Sequence, residues 1–121
     1  MKIPGPDHPI TVEPNPKRVV VTFAGREVAN STCALTLRES TYPAVQYIPR
    51  EDVDMSMLER TTHGTECPYK GHASYYSLKV NGRGAENAAW TYERPYDVVA
   101  SIKALLAFYP NRVDRIEERM A

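Results

Sequence analysis

Two runs rich in aromatic and β-branched residues, Ala73 to Val80 and Ala85 to Tyr92, flank the tetrapeptide Asn81-Gly82-Arg83-Gly84. Asn-Gly between such runs signals a hairpin, because both residues tolerate the left-handed backbone of a tight two-residue turn. Two or four loop residues give the same facing, since side chains alternate with period two. Tyr75 then shares one side with Trp90 and Tyr92, while Tyr76, Leu78 and Val80 share the other with Ala85 and Ala89. Both sides carry large apolar groups, which a sheet covered on one face does not require. Either both are core, or one is core and the other lines a cavity.

The rest of the chain extends this β character. Val19 to Phe23 reads as a strand turning at Ala24-Gly25 into Arg26 to Ala29. From Cys33 to Glu39 the pattern alternates, with Cys33, Leu35 and Leu37 on a core-facing side, Thr36 and Arg38 opposite, and Glu39 on the apolar side at the strand's end. Val45 to Ile48 is a short strand closed by Pro49, and Arg50 to Leu58 reads as a helical turn or an irregular connection. Five of the ten prolines fall in the first sixteen residues, so residues 1–16 read as an extended arm, within which Ile10-Thr11-Val12 retains the capacity to pair as an edge strand. The remainder, 17–121, reads as one domain.

Near the C-terminus Val98, Val99, Ile102, Leu105 and Leu106 follow helical spacing, with Asp97 as N-cap and Pro110 as the stop. Val113, Ile116 and Met120 continue that spacing as a terminal helix. Ala107-Phe108-Tyr109 reads equally as the end of the first helix or as a strand. The expected fold class is mainly β with minor α.

Fifteen basic residues balance fifteen acidic ones in 121, which gives no electrostatic footprint for nucleic acid and no polybasic membrane patch. No apolar run approaches the roughly 20 residues that span a bilayer. Met1-Lys2-Ile3-Pro4 opens no apolar signal segment, and two cysteines make no disulfide framework; the expected location is cytoplasmic. No long heptad specifies an oligomer, and a homodimer stays open.

The densest chemical segment is Thr65-Glu66-Cys67-Pro68-Tyr69-Lys70-Gly71. A thiol near an ammonium suits an activated thiolate; the alternative is a small packed cysteine beside a solvated lysine. His63, Cys67 and His72 form a compact H-x3-C-x4-H run without the second ligand pair of a structural zinc site, and no metal is assigned. Asp52 and Asp54 lack a glycine-rich phosphate cradle ahead of them. Glu39 on an apolar strand face needs a partner, for which Arg26 and Lys70 are the candidates, unless the strand frays into water. Tyr47, Tyr75, Trp90 and Tyr92 serve either as a ligand-pocket wall or as ordinary core.

Arg26-x-x-Ala29-x-Ser31, Tyr47-x-Pro49 to Asp52, Thr65-x-Cys67-Pro68-x-Lys70-Gly71-x-Ala73-x-Tyr75, Ala89-Trp90-x-Tyr92 and Ala107-Phe108-Tyr109 occur in order along the chain. Together they resemble the domain-of-unknown-function 427 family over about Arg18 to Asp114. The resemblance implies a β-tent, two antiparallel sheets meeting at an angle over a central cleft. That architecture is broadly similar to the B-type methionine sulfoxide reductases and the thalidomide-binding domain of cereblon. The family carries a nucleotidyltransferase label, but the glycine-serine turn such enzymes set before metal-binding aspartates does not precede Asp52. The paired C-x-x-C zinc ligands of better-known β-tent proteins do not occur either. The motif falls on Arg26, Glu39, Tyr47, Asp52, Thr65, Cys67, Lys70, Gly71, Tyr75, Trp90 and Tyr92.

The expected function is binding of a small molecule, of unknown identity, in an aromatic cleft with polar chemistry from Cys67, Lys70, Glu39 and Asp52. If the cleft is catalytic, Cys67 is its nucleophile or redox thiol, Lys70 stabilises the thiolate or an oxyanion, and Glu39 orients or exchanges a proton. Arg26, Tyr47, Thr65, Gly71, Tyr75, Trp90 and Tyr92 would contact ligand. No cofactor is named. The rival readings are a non-catalytic binding module and a purely structural role for the motif.

Overall fold

The computed structural model describes residues 1–121 and contains ten strands, four short 3-10 turns and no α-helix. Strands β1 (Ile10–Pro14), β4 (Leu35–Glu39) and β5 (Val45–Tyr47) form one antiparallel sheet in the order β1-β4-β5. Strands β2 (Arg18–Phe23), β3 (Arg26–Ser31) and β10 (Arg115–Arg119) form a second, with β2 central. The third sheet runs β6 (Leu58–Cys67), β7 (Gly71–Val80), β8 (Arg83–Thr91), β9 (Ala107–Phe108). There are thus three antiparallel sheets where the resemblance implied two.

The β7–β8 hairpin turns on two residues, Asn81 at φ 50° and Gly82 at φ 77°. Tyr75 lies directly opposite Trp90, and Tyr76 opposite Ala89. A bulge between Tyr76 and Leu78, with Asn87 at φ 48°, preserves the parity, so the expected facing holds along the hairpin. Both of its faces contribute to buried apolar clusters. Tyr76, Leu78, Val80, Ala88 and Ala89 join a 17-residue cluster with Val19, Val21 and Phe23. Tyr75, Tyr92 and Ala73 join a separate 8-residue cluster with Leu37 and Tyr47, against which Trp90 packs.

The expected C-terminal helices do not form. Asp97–Ile102 is a pair of 3-10 turns kinked at Val99, and Ala104 adopts φ 63°. The buried stripe survives at Val99, Ile102 and Leu106, whereas Val98 points outward. Leu106 instead exchanges two backbone hydrogen bonds with Ile48, at 2.8 and 2.9 Å, and Ala107–Phe108 adds a strand beside β8. Those ladder bonds bind the first and third sheets at their edges, and they outweigh a weak local propensity in a segment confined between Pro95 and Pro110. The terminal segment is likewise strand β10 rather than helix, because it pairs with the open edge of valine-rich β2.

Cys33 is also placed differently from expectation. Strand β4 begins at Leu35, and Cys33 is exposed in the preceding turn, its N–H donating to Ser31 Oγ at 3.0 Å. Asn15 fastens the first sheet to the second: its Nδ2 donates to Gln46 Oε1 at 3.0 Å and to Glu118 Oε1 at 2.7 Å. No helix is long and apolar enough to cross a membrane.

Candidate functional site

The hairpin's aromatic face and the first sheet enclose a cleft of about 200 Å³. Its walls include Glu39, Tyr47, Lys70, Tyr75, Trp90 and Tyr92, six of the eleven residues carried over from the family motif. They come from β4, β5, the β6–β7 turn and both hairpin strands, so tertiary pairing alone brings them together. Leu37 and Val45 complete the apolar wall, with Tyr42, Pro43 and Tyr109 at its sides.

Lys70 closes the β6–β7 turn. The next residue, Gly71, has φ 111°, and a Cβ there would meet the Arg94 carbonyl oxygen at 3.4 Å. Tyr96 N–H donates to the Lys70 carbonyl at 3.0 Å, so the Arg94–Tyr96 segment braces the turn from outside. Glycine is favoured by the backbone sign, since the approach of Arg94 is an ordinary van der Waals contact. The turn delivers Lys70 Nζ to Glu39 Oε1, making an ion pair whose side chains are 10% and 12% exposed. Of the two cations weighed as partners for Glu39, Lys70 is the one that meets it.

A third group, absent from the sequence reading, completes this cluster. His8 Nε2 meets Glu39 Oε2 at 2.7 Å, and the imidazole stacks on Tyr69 with centroids 4.0 Å apart. The N-terminal arm holds it there: Lys2 N–H donates to the Pro68 carbonyl at 2.7 Å, and Ser40 N–H to the Pro9 carbonyl at 2.8 Å. Burial by itself would raise the Glu39 pKa. Hydrogen bonds and charge from Lys70 and His8 outweigh it and hold the carboxyl below its usual 4.5.

The phenols form the opposite wall. Trp90 Nε1 donates to the Tyr47 hydroxyl at 3.2 Å. Burial, chiefly, drives the pKa of both Tyr47 and Tyr92 far above that of a free phenol, so both remain neutral hydrogen-bond donors. Tyr75 shares hydrogen bonds with Thr65 Oγ1 at 3.0 Å and with the Tyr109 hydroxyl at 3.2 Å. Tyr109 is pushed up to about 12 by burial and by its bond to Tyr75. The rings run in series, Tyr47 edge-on to Trp90 at 6.2 Å and Trp90 tilted against Tyr109 at 4.5 Å.

The cleft adjoins a second cavity of about 620 Å³, with which it shares Tyr42, Pro43, Val45, Trp90 and Tyr109. This groove lies where all three sheets converge, on Val21 and Ile116 of the second sheet, Ile48 beyond β5 and Phe108 of β9. Its polar atoms Gln46 Oε1 and Glu118 Oε1 are both engaged by Asn15.

Other motif residues lie elsewhere. Asp52 sits in a 3-10 turn and accepts from Ser31 Oγ at 2.7 Å, among Glu27, Glu51 and Asp54 rather than in the aromatic cleft. Arg26 is exposed at the β2–β3 turn. Cys67 ends β6, half-buried, and packs against the aromatic cluster from outside the cleft wall. His63 and His72 diverge: His63 lies against the Tyr75 ring, while His72 Nδ1 meets Glu66 Oε1 at 2.6 Å. Tyr42, Pro43 and Tyr109 were not foreseen in the cleft, although Tyr109 belongs to one of the matching motifs. For His8 the sequence holds no signal beyond a histidine in a proline-rich arm.

The sequence profile of the family described as a domain of unknown function (DUF427) matches residues 11–119. The chain belongs to that family. No curated protein matches it.

Proposed function

We propose that this chain is a small-molecule-binding module whose ligand lays an apolar or aromatic body in the groove and reaches into the cleft with a hydrogen-bond acceptor. The observation that carries this reading is that the two cavities lie side by side and share Trp90 and Tyr109 as walls. An apolar enclosure of several hundred Å³ with a few convergent polar groups is the usual form of a ligand site. The buried phenols of Tyr47 and Tyr92 supply neutral donors. The Lys70–Glu39 pair supplies a fixed dipole at the cleft's end. We assign the β-tent arrangement as the frame, with the site at the junction of its sheets.

Binding rather than nucleophilic catalysis is favoured because the Lys70 ammonium is committed to Glu39, which leaves Cys67 without the activating partner the motif suggested. The uncharged probe N-phenyl-1-naphthylamine tests this reading by its fluorescence gain. Wild type and Cys67→Ser should bind it alike. Trp90→Ala should weaken binding at least about tenfold, as expected for loss of a central aromatic contact, and Pro43→Asp, at an exposed rim position, should weaken it without disturbing the core. A wild-type protein that gives no saturable signal overturns the reading, and so does a Cys67→Ser variant that loses it.

A further inference from the structure

A third cavity, of about 480 Å³, abuts the cleft along the Tyr75 and Tyr109 rings and differs from it in character. Its other walls are His63, Asn87, Asn111, Arg112 and Glu86. The two spaces share Tyr75 and Tyr109, whose hydroxyls lie 3.2 Å apart, and Tyr109 lines all three cavities. Arg112 is oriented from two directions. One guanidinium nitrogen donates to the Glu86 backbone carbonyl, and the group lies over the Tyr109 ring at 5.7 Å. No carboxylate pairs with it, as is also true of Arg18, Arg26, Arg38, Arg50 and Arg94; what distinguishes Arg112 is its place in this cavity. Within this cavity an oriented, unpaired guanidinium thus stands beside two side-chain amides and an imidazole. That donor set suits an oxyanion.

We propose that this cavity is a second subsite, which takes the anionic head of an elongated amphipathic acid whose apolar body occupies the groove beyond Trp90. The inference rests on the binding reading above and narrows it to a ligand class. The aromatic series provides the route: Trp90, Tyr109, Tyr75 and then His63, whose ring lies 4.5 Å from Tyr75. The groove is walled mainly by apolar side chains, and Asn15 engages Gln46 Oε1 and Glu118 Oε1, so it suits the body of the ligand rather than its charged head. The Glu86 carboxylate is the one opposing charge in the subsite, and it is exposed at the rim.

A matched pair of probes separates the two claims: anionic 8-anilinonaphthalene-1-sulfonate and uncharged N-phenyl-1-naphthylamine, titrated by fluorescence into the full chain. Arg112→Gln should raise the Kd of the anionic probe about tenfold, the worth of one charge-assisted hydrogen bond, and leave the neutral probe within about twofold. Glu86→Gln, which keeps the backbone carbonyl on Arg112, should tighten the anionic probe alone. Lys79→Gln, an exposed change on β7 outside the three cavities, should alter neither. If Arg112→Gln leaves the anionic probe unchanged, or shifts both probes equally, the subsite is overturned while the groove stands. If wild type binds neither probe, the groove and the subsite fall together.

Discussion

The two faces of one hairpin behave as different materials. On one side Leu78, Val80, Ala88 and Ala89 interlock with Val19, Val21 and Phe23 in the larger cluster. On the other, Tyr75, Trp90 and Tyr92 face Leu37 and Tyr47 across a gap that remains a cleft. Aliphatic side chains of mixed size interdigitate to crystal-like density. Rigid rings carrying hydroxyl and indole donors must also satisfy hydrogen-bond geometry, as Trp90 does on Tyr47 and Tyr75 does on Tyr109. Packing on that face is therefore set by polar partners as much as by shape, and space is left at the ends of the rings.

The largest effect should come from the aliphatic face. Leu78 is fully buried, and Leu78→Ala is expected to cost about 3 kcal/mol through lost burial and a residual cavity. Chemical denaturation measures that loss, while the neutral probe's affinity at the cleft should be unchanged. An equal loss of stability and binding would show that the two faces do not act separately.

On the aromatic face, Lys70→Met removes one partner of a nearly buried pair. The cost should be about 2 kcal/mol, below that of a fully buried pair because His8 still holds Glu39 and some water reaches both groups. Adding Glu39→Gln to Lys70→Met should recover part of that loss, which a double-mutant cycle resolves. The pH dependence has a definite sign. The Glu39 carboxyl titrates lower in the folded chain than in the unfolded one, so its stabilisation is complete above pH 4.5 and disappears as pH falls through the lower folded value. Urea midpoints of wild type and Glu39→Gln should therefore converge below pH 4.5. A constant difference down to pH 3 would remove the pair from the stability argument.

The smallest effect concerns the thiols. Cys33 is exposed and Cys67 half-buried, so iodoacetamide should label Cys33 first at neutral pH, as followed by mass spectrometry. This reverses the order expected from the alternation around Leu35 and Leu37. A faster Cys67 would return the aromatic face to catalytic chemistry.

Much of the β framework was legible because short-range rules govern it. Asn81-Gly82 set the hairpin, period two set which aromatics share a face, and Ala24-Gly25 set the turn between β2 and β3. The family motif named six cleft-lining residues and also named Asp52 and Arg26, which lie away from the cleft. Motif membership records which residues recur together, not which of them converge in space.

By itself, the sequence determined an all-antiparallel core, a two-sided hairpin and an acidic strand end in need of a partner. Tertiary structure alone decided that Leu106 would bond Ile48 rather than continue a helix, and that β10 would cap β2. It also decided that His8, thirty-one residues away, would share Glu39 with Lys70. Each of these outcomes turns on unpaired backbone or buried charge that distant segments must satisfy. Local propensity is worth tenths of a kcal/mol per residue, whereas an orphaned buried polar group costs about 1–3 kcal/mol, so the distant partner wins.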